Sequence, residues 1–382
     1  MHRHRHLRAW DAVHTWTSLG CTLFLLLLCV TGLPLIFHDE IDRATLPQIH
    51  VDDSVDDHAP PAGLDRIIEV AVAAHPSTHP LFASHEPHEP RVWYVTLASA
   101  AGDKLSQVAI DARSAAIVGQ PHIGAEGVMG VILSLHVDLF AGLNGKLFLG
   151  AMGLLFLASL VSGAVLYAPF MRRREFGAIR RGSGRRSRWL DLHNLLGIAT
   201  LVWAGVVGLT GVINTCADLL LAQWRSQVMS QPQVPAPTHP PTPTPTENAS
   251  VQFVVSQAMR HMQDREIAFI AFPGSSFAGD SMYGVYTRGN TALTSRLVRP
   301  ILVDAHTARI ISDRPLPWYL TLLLISEPLH FGDYGGLPLK LLWAALDVIT
   351  IVILGSGLYL WIARQRAARG RMRVRKLAHQ GN

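Results

Sequence analysis

Four histidines occupy mirrored places in the chain: His14 in RAWDAVHTWTSLG, His193 in SRWLDLHNLLG, His136 in LSLHVDLFAGLNG and His330 in LLISEPLHFGDYGG. Each stands at the border of a long apolar run. Paired neutral imidazoles inside a helical bundle, without carboxylate or thiolate co-ligands, suit axial ligation of a haem iron from both faces. A single histidine at a membrane border more often anchors its helix. The chemical reading therefore depends on the mirroring.

The mirroring is a tandem repeat. VAIDARSAAIVGQP (108–121) matches ILVDAHTARIISDRP (301–315), with a shared D-A-x-[ST]-A-x-I core that predicts two short strands about a polar turn. His136 follows Asp111 by 25 residues and His330 follows Asp304 by 26. Ser162-Gly163 then lies 26 and 27 residues past His136, and Ser356-Gly357 the same distances past His330. In the other helices Trp10 and Trp189 each precede the histidine by four residues, and Thr31-Gly32 and Thr210-Gly211 each follow it by 17 and 18.

A haem needs room beside its ligands, and the small residues supply it. At ~1.5 Å per residue, Thr31-Gly32 and Thr210-Gly211 sit about 26 Å along their helices from His14 and His193, level with the other histidine pair. Ser162-Gly163 and Ser356-Gly357 are expected level with His14 and His193. Ser18 and Gly197, one turn beyond His14 and His193, keep the ring faces clear. Small pairs of this kind also serve plain helix packing in membranes.

Stepping outward, 49% hydrophobic and 16% charged residues over 382 positions indicate a membrane protein. Four runs approach the ~20 residues needed to span a bilayer: Trp16 to Phe37, Lys146 to Pro169, Gly197 to Asp218 and Leu339 to Ala363. The first is too long for a signal-peptide core and is followed by HDEIDR, not a small-residue cleavage site, so it is expected to remain. Eight arginines between the second and third runs, Arg3, Arg5 and Arg8 before the first, and six arginines and a lysine after Ala363 place both termini in the cytoplasm. This topology accounts for the net charge of +5, and no nucleic-acid partner is expected. Cys21, Cys29 and Cys216 lie in or beside the runs, which leaves the external segments without cysteine for disulfides.

The expected organisation is a cytoplasmic N-terminus and first helix over 1–38, a first external domain over 39–127 and the His136 segment with the second helix over 128–170. A basic cytoplasmic loop follows over 171–188, the third helix over 189–218, and a Pro-rich spacer with a second external domain over 219–317. The His330 segment and fourth helix cover 318–363, and a basic tail covers 364–382. Each external domain opens on a helix (LDRIIEVAVAAH, SVQFVVSQAMRHM) and continues into short alternating strands, an α+β unit. QPQVPAPTHPPTPTPT (231–246) reads as a stiff extended spacer. The proline-interrupted histidines of 75–88 have no mirrored partners and read as solvated loop.

Two residues break the mirror. His38 corresponds to Ala217, so it is expected to meet solvent, a haem propionate or substrate rather than iron. Asp347, mid-way along the fourth run, corresponds to Gly153. A carboxyl there costs several kcal/mol, and it reads either as a protonated or water-bonded bundle residue or as part of a proton path.

The duplicated D-A-x-[ST]-A-x-I hairpins, the LHVDLFAGLNG and LHFGDYGG segments, the SG-bearing helices and RAWDAVHTWTSLG resemble the PepSY-associated transmembrane family over nearly the whole chain. The resemblance implies a four-helix membrane bundle with two periplasmic PepSY-like α+β domains, in the bacterial inner membrane. It further implies two haem b groups, one near each face, ligated by His14 with His193 and by His136 with His330. The activity it implies is reduction of a ferric siderophore, of hydroxamate or ferrioxamine type, in the periplasm.

The expected function is thus di-haem electron transfer that reduces the ferric chelate and releases Fe(II), which oxygen ligands hold less firmly than Fe(III). No GxGxxG or Walker motif is present, so the electron donor is separate: a reduced flavin, a flavoprotein or quinol. Phe331, Asp333 and Tyr334, which follow a candidate ligand closely, are the expected substrate contacts. Two other readings stay open: a haem-free membrane regulator whose PepSY domains bind peptide or protease, and a siderophore permease. The latter is disfavoured by the absence of an evident broken helix.

Overall fold

The computed structural model describes residues 2–45, 49–51, 60–86, 89–101, 104–121, 123–124, 127–171, 180, 184–229, 248–262, 265–291 and 294–380. Most of the basic loop and the whole Pro-rich spacer expected from the sequence lie outside the described residues. The chain divides into two compact units: 1–40 with 127–218 and 326–382, and 41–126 with 219–325.

The first unit is helical. Its long helices are α1 (His2–Ile36), α5 (Gly142–Met171), α6 (Arg185–Thr215) and α10 (Gly336–Gln380). The helical stretches Arg5–Ile36, Gly142–Pro169, Arg185–Thr215 and Asp333–Met372 are long and apolar enough to cross a membrane. Both α1 and α6 begin well before their apolar runs, because the polar leads continue the backbone ladder. His14 and His193 therefore sit inside helices rather than at their ends.

Short helices lead into or away from these spans. Leaving α1 and α6 are α2 (His38–Thr45) and α7 (Ala217–Met229). Entering α5 and α10 are α4 (Gly127–Val137) and α9 (Trp318–Phe331), which carry His136 and His330 near their C-terminal ends. After α9, Gly332 takes a left-handed φ of 81° before the 3-10 turn Asp333–Gly335. A Cβ on Gly332 would lie 2.9 Å from the Trp343 ring, so the turn needs glycine for both conformation and space. The Trp343 indole N–H donates to the Leu329 carbonyl at 3.1 Å and caps the end of α9.

The second unit is an antiparallel sheet with helices. Two helices, α3 (Leu64–Ala74) and α8 (Val251–His261), have the same apolar spacing: Leu64, Ile67, Ile68, Ala71 and Val251, Val254, Val255, Ala258 are all buried. This i, i+3, i+4, i+7 pattern gives each helix one apolar stripe. The stripes pack with Val95, Val108, Ile110, Ile270, Val285, Ile301 and Val303 of the sheet in one core. The helix starts are tied together: the Val251 N–H donates to Asp65 at 2.7 Å and the Leu64 N–H to Gln252 at 2.9 Å.

The strands are β1 (Thr78–His85), β2 (Val92–Ser99), β3 (Leu105–Asp111), β4 (Ile117–Gly119), β5 (Glu266–Ala271), β6 (Met282–Arg288), β7 (Arg299–Asp304) and β8 (Ile310–Ser312). They form one eight-stranded sheet in the order β4-β3-β2-β1-β5-β6-β7-β8, in which every neighbouring pair is antiparallel. The order is symmetric about the β1–β5 seam, where Phe82, Ala83 and Ser84 face Ala271, Ile270 and Phe269.

This corrects two expectations. The two external domains are one unit, because β1 and β5 would each be an open edge in a separate half and pairing removes both edges. The stretch read as a histidine-rich loop contains β1, with Ala83 fully buried. The register shifts by one residue, Leu81, directly after Pro80, which cannot donate to the ladder. The aromatic residues Phe82, Phe269, Phe277, Tyr286 and Trp224 form a second core with Leu320.

The D-A-x-[ST]-A motif is a turn held by its aspartate. Asp111 accepts from the Arg113 N–H at 2.7 Å, and Asp304 accepts from the N–H groups of His306 (3.1 Å) and Thr307 (2.7 Å) and from the Thr307 hydroxyl (2.8 Å). The closing alanines, Ala115 and Ala308, take left-handed φ values of 55° and 52°. Burial raises the Asp304 carboxyl, but the bonds from Thr307 and His306 outweigh it and hold the group below the ordinary carboxylate range.

Candidate functional site

The structure brings the four histidines together as two pairs. His14 on α1 and His193 on α6 have ring centroids 6.5 Å apart at an interplanar angle of 71°. His136 on α4 and His330 on α9 have centroids 6.2 Å apart at 66°.

Each imidazole is held in the same way by a helix other than its own. His14 Nδ1 lies 3.0 Å from the Ser159 carbonyl and 3.3 Å from Ser162 Oγ. His193 Nδ1 lies 3.1 Å from the Ile353 carbonyl and 2.8 Å from Ser356 Oγ. His330 Nδ1 lies 3.1 Å from the Val207 carbonyl and 3.2 Å from Thr210 Oγ1. His136 Nδ1 lies 2.9 Å from Thr31 Oγ1, with the Leu28 carbonyl as the backbone partner. In every case the carbonyl is three residues before the hydroxyl.

A glycine completes each cradle one residue after the hydroxyl. A Cβ built on Gly163 would lie 3.1 Å from His14 Cε1, on Gly357 3.3 Å from His193 Cε1, on Gly32 3.2 Å from His136 Cε1 and on Gly211 3.1 Å from His330 Cε1. Any larger residue would press on the ring edge. The expected small residues are thus all in place, and their role is more specific than making room: they grip the Nδ1 edge.

A carbonyl can only accept, so Nδ1 carries the proton and Nε2 keeps its lone pair. Fixing the far nitrogen on a carbonyl is the outer-shell arrangement of metal-ligating histidines. Two imidazole nitrogens each ~2.0–2.1 Å from a shared first-row metal ion put the ring centroids roughly 6.4 Å apart, and the two observed separations bracket that value.

The remaining expected residues fall into two groups. The Ser18 hydroxyl donates to the His14 carbonyl within α1, and a Cβ on Gly197 would meet nothing within 4 Å, so neither crowds its histidine. Phe331 lies between His330 (5.5 Å between centroids) and His38 (6.2 Å). Tyr334 is half-buried. Asp333 is drawn toward Lys340. Its side chain is 11% exposed and lies 3.5 Å from Lys340 Nζ, where a buried cation holds it inward.

Lys340 is part of a cluster that the sequence did not reveal. It is buried, and its ammonium also meets Asp39 at 3.0 Å and Glu40 at 3.2 Å. The signal available was a lone lysine at the start of an apolar helix, and the DE pair in the first turn of α2. His38 has both nitrogens engaged, Nδ1 with the Leu35 carbonyl and Nε2 with Asp39, each at 2.9 Å.

Four apolar helices of spanning length with a separate antiparallel sheet unit define a multi-pass membrane protein of mixed architecture. The family model described as the PepSY-associated TM region matches residues 12–364, and the chain belongs to that family. It is also similar to the uncharacterized protein PA4219 of Pseudomonas aeruginosa, 28% identical over 274 residues that cover 66% of this chain and 68% of the relative.

Proposed function

We propose that the chain is an inner-membrane electron-transfer protein with two haem b groups, one on each imidazole pair, and that it reduces a ferric siderophore in the periplasm. The observation that carries this reading is the pair of facing imidazoles with Nδ1 fixed and Nε2 left to ligate. Two nitrogens alone are too few for a structural zinc site, which takes four protein ligands. They match a metal whose other four positions come from a macrocycle.

Bound haem would supply one-electron chemistry. The chain's own residues hold the imidazoles, keep the proton on Nδ1 and leave Nε2 deprotonated. In the proposed topology, with both termini cytoplasmic, His14 and His193 form the cytoplasmic centre and His136 and His330 the periplasmic one. The four-helix layout with two PepSY-like halves looks most like FoxB, an inner-membrane ferric-siderophore reductase associated with ferrioxamine uptake, which supports a hydroxamate-type substrate. The donor is a reduced flavin, a flavoprotein or quinol. Phe331, Asp333 and Tyr334, which follow His330 closely, are the proposed substrate contacts, with His38, whose ring lies 6.2 Å from that of Phe331, beside them.

The test is the absorption spectrum of the purified protein before and after dithionite, with haem counted per chain. A low-spin bis-His spectrum with two haems per chain, reoxidised by a ferric hydroxamate, is the expected result. A colourless protein after haem-supplemented expression would overturn it and leave peptide or protease binding by the sheet unit as the function to pursue.

A further inference from the structure

The two halves of the helical unit differ at one buried place. On one side Gly153 of α5 packs against α6 so closely that a Cβ on it would lie 2.7 Å from Val212 and 3.9 Å from the Gly208 carbonyl. The repeat maps Gly153 onto Asp347 and Gly208 onto Cys29. At the equivalent place between α1 and α10, therefore, a carboxyl and a thiol replace two glycines, and the Cys29 thiol is a neighbour of the Asp347 carboxyl. Asp347 is 92% buried, from a relative exposure of 8%, and its Oδ2 has no hydrogen-bond partner.

A carboxyl in the middle of an apolar helix is costly, and the glycine pair shows that the helices pack without it. What a carboxyl offers over glycine is two protonation states: the ionised form is supported by the neighbouring thiol, and the neutral form by its low-dielectric surroundings. α1 faces it with Cys29, α6 carries no ionisable group between His193 and Thr215, and Asp333 of the 3-10 turn is held on Lys340. Among the described residues no ion pair to Asp347 is formed.

Its level along the bundle selects one centre. Cys29 is two residues, about 3 Å of rise, before Thr31, which holds His136. Ser356 at the other centre is nine residues, about 13.5 Å of rise, from Asp347 on α10. Adding an electron to a centre in a low-dielectric bundle removes one unit of positive charge and weakens the hold on a nearby carboxylate.

We infer that Asp347 is the proton-accepting partner of the His136–His330 centre. It takes one proton from water as one electron arrives there, and releases it when that electron passes to the ferric chelate, whose iron becomes Fe(II). This rests on the haem reading proposed above. Asp347 acts through charge, as a positioning residue rather than a ligand.

The test is an optical redox titration of the holoprotein between about pH 6 and 8, with His136→Ala identifying which centre is which. The midpoint potential of the His136–His330 centre is expected to fall with rising pH, by up to about 59 mV per tenfold change in proton concentration, while the other centre stays flat. Asp347→Asn removes the slope with haem content and spectrum unchanged, and Asp347→Glu retains it. A wild-type protein with two haems and pH-independent potentials, or a slope that persists in Asp347→Asn, overturns the inference and leaves the haem reading standing. A protein without haem overturns both.

Discussion

Gly163 approaches His14 so closely that a single added carbon would stand 3.1 Å from the imidazole Cε1, and the same relationship recurs at the other three histidines. The four cradles are one motif used four times: a backbone carbonyl, a hydroxyl three residues on, and a glycine next to it. The motif on one helix selects the tautomer and ring position of a histidine on another.

Enlarging one glycine should therefore empty one centre. Gly163→Val is expected to halve the haem per chain by removing the His14–His193 site, and Gly32→Val to halve it by removing the other. Pyridine haemochrome quantification checks this; equal loss of both haems from either variant would show that the glycines serve folding alone.

The hydroxyls should tune affinity without deciding occupancy, because the carbonyl still holds Nδ1 when the hydroxyl is gone. Ser356→Ala, which removes the 2.8 Å contact to His193, is expected to weaken haem retention about 10–100-fold, the range for losing an outer-shell partner. The rate of haem transfer to apomyoglobin measures the effect, and an unchanged rate would rule it out.

Lys340 holds three carboxylates together. Lys340→Met removes the buried ammonium that Asp39, Glu40 and Asp333 share, at a cost of about 1–3 kcal/mol. A lowered melting temperature in detergent is the expected readout, and Asp333→Asn should restore part of the loss.

The sheet unit should respond to its core. Ile301 is completely buried between the helix stripes and the sheet, and Ile301→Ala is expected to destabilise the protein by about 2–5 kcal/mol. Chemical unfolding followed by the fluorescence of the aromatic cluster about Trp224 reports it. A change below 1 kcal/mol, roughly the scale of a surface substitution, would show that this core is not cooperative.

Asp304 gives the sheet a pH dependence of known sign. Its carboxyl is held below the ordinary range in the folded state. The turn's contribution is therefore present above the unfolded carboxylate pKa of ~3.9 and is lost as pH falls through the folded value. The stability gap between wild type and Asp304→Asn should be widest at neutral pH and close on acidification; a gap constant with pH would contradict it.

The sequence made the histidines and their small-residue partners readable because both are duplicated, and a doubled spacing is a signal that one copy lacks. The carbonyls of Ser159, Ile353, Leu28 and Val207 could not be read, since a backbone acceptor leaves no mark on residue type. β1 was hidden by Pro80 and by histidines at positions 79 and 85, a composition typical of loops. Its place at the centre of the sheet depends on pairing with β5, some 180 residues away. Local pattern carries no information about such a contact. The Lys340 cluster was equally invisible, because two of its acidic members open α2, the third lies in the 3-10 turn, and its cation stands in the first turns of α10 some 300 residues from the acidic pair.

Each imidazole pair takes one histidine and one cradle from either half of the chain, and the sheet takes four strands from each. Neither half contains a whole centre. During synthesis the His14 ring gains its cradle when α5 arrives, but its opposing ring, His193, is gripped only once α10 has been made. Completion of the His14–His193 centre is thus a terminal event in biogenesis: a ribosome stalled before the last helix yields a chain that already holds all eight strands and every residue of the His136–His330 pair and its cradles, but leaves His193 ungripped.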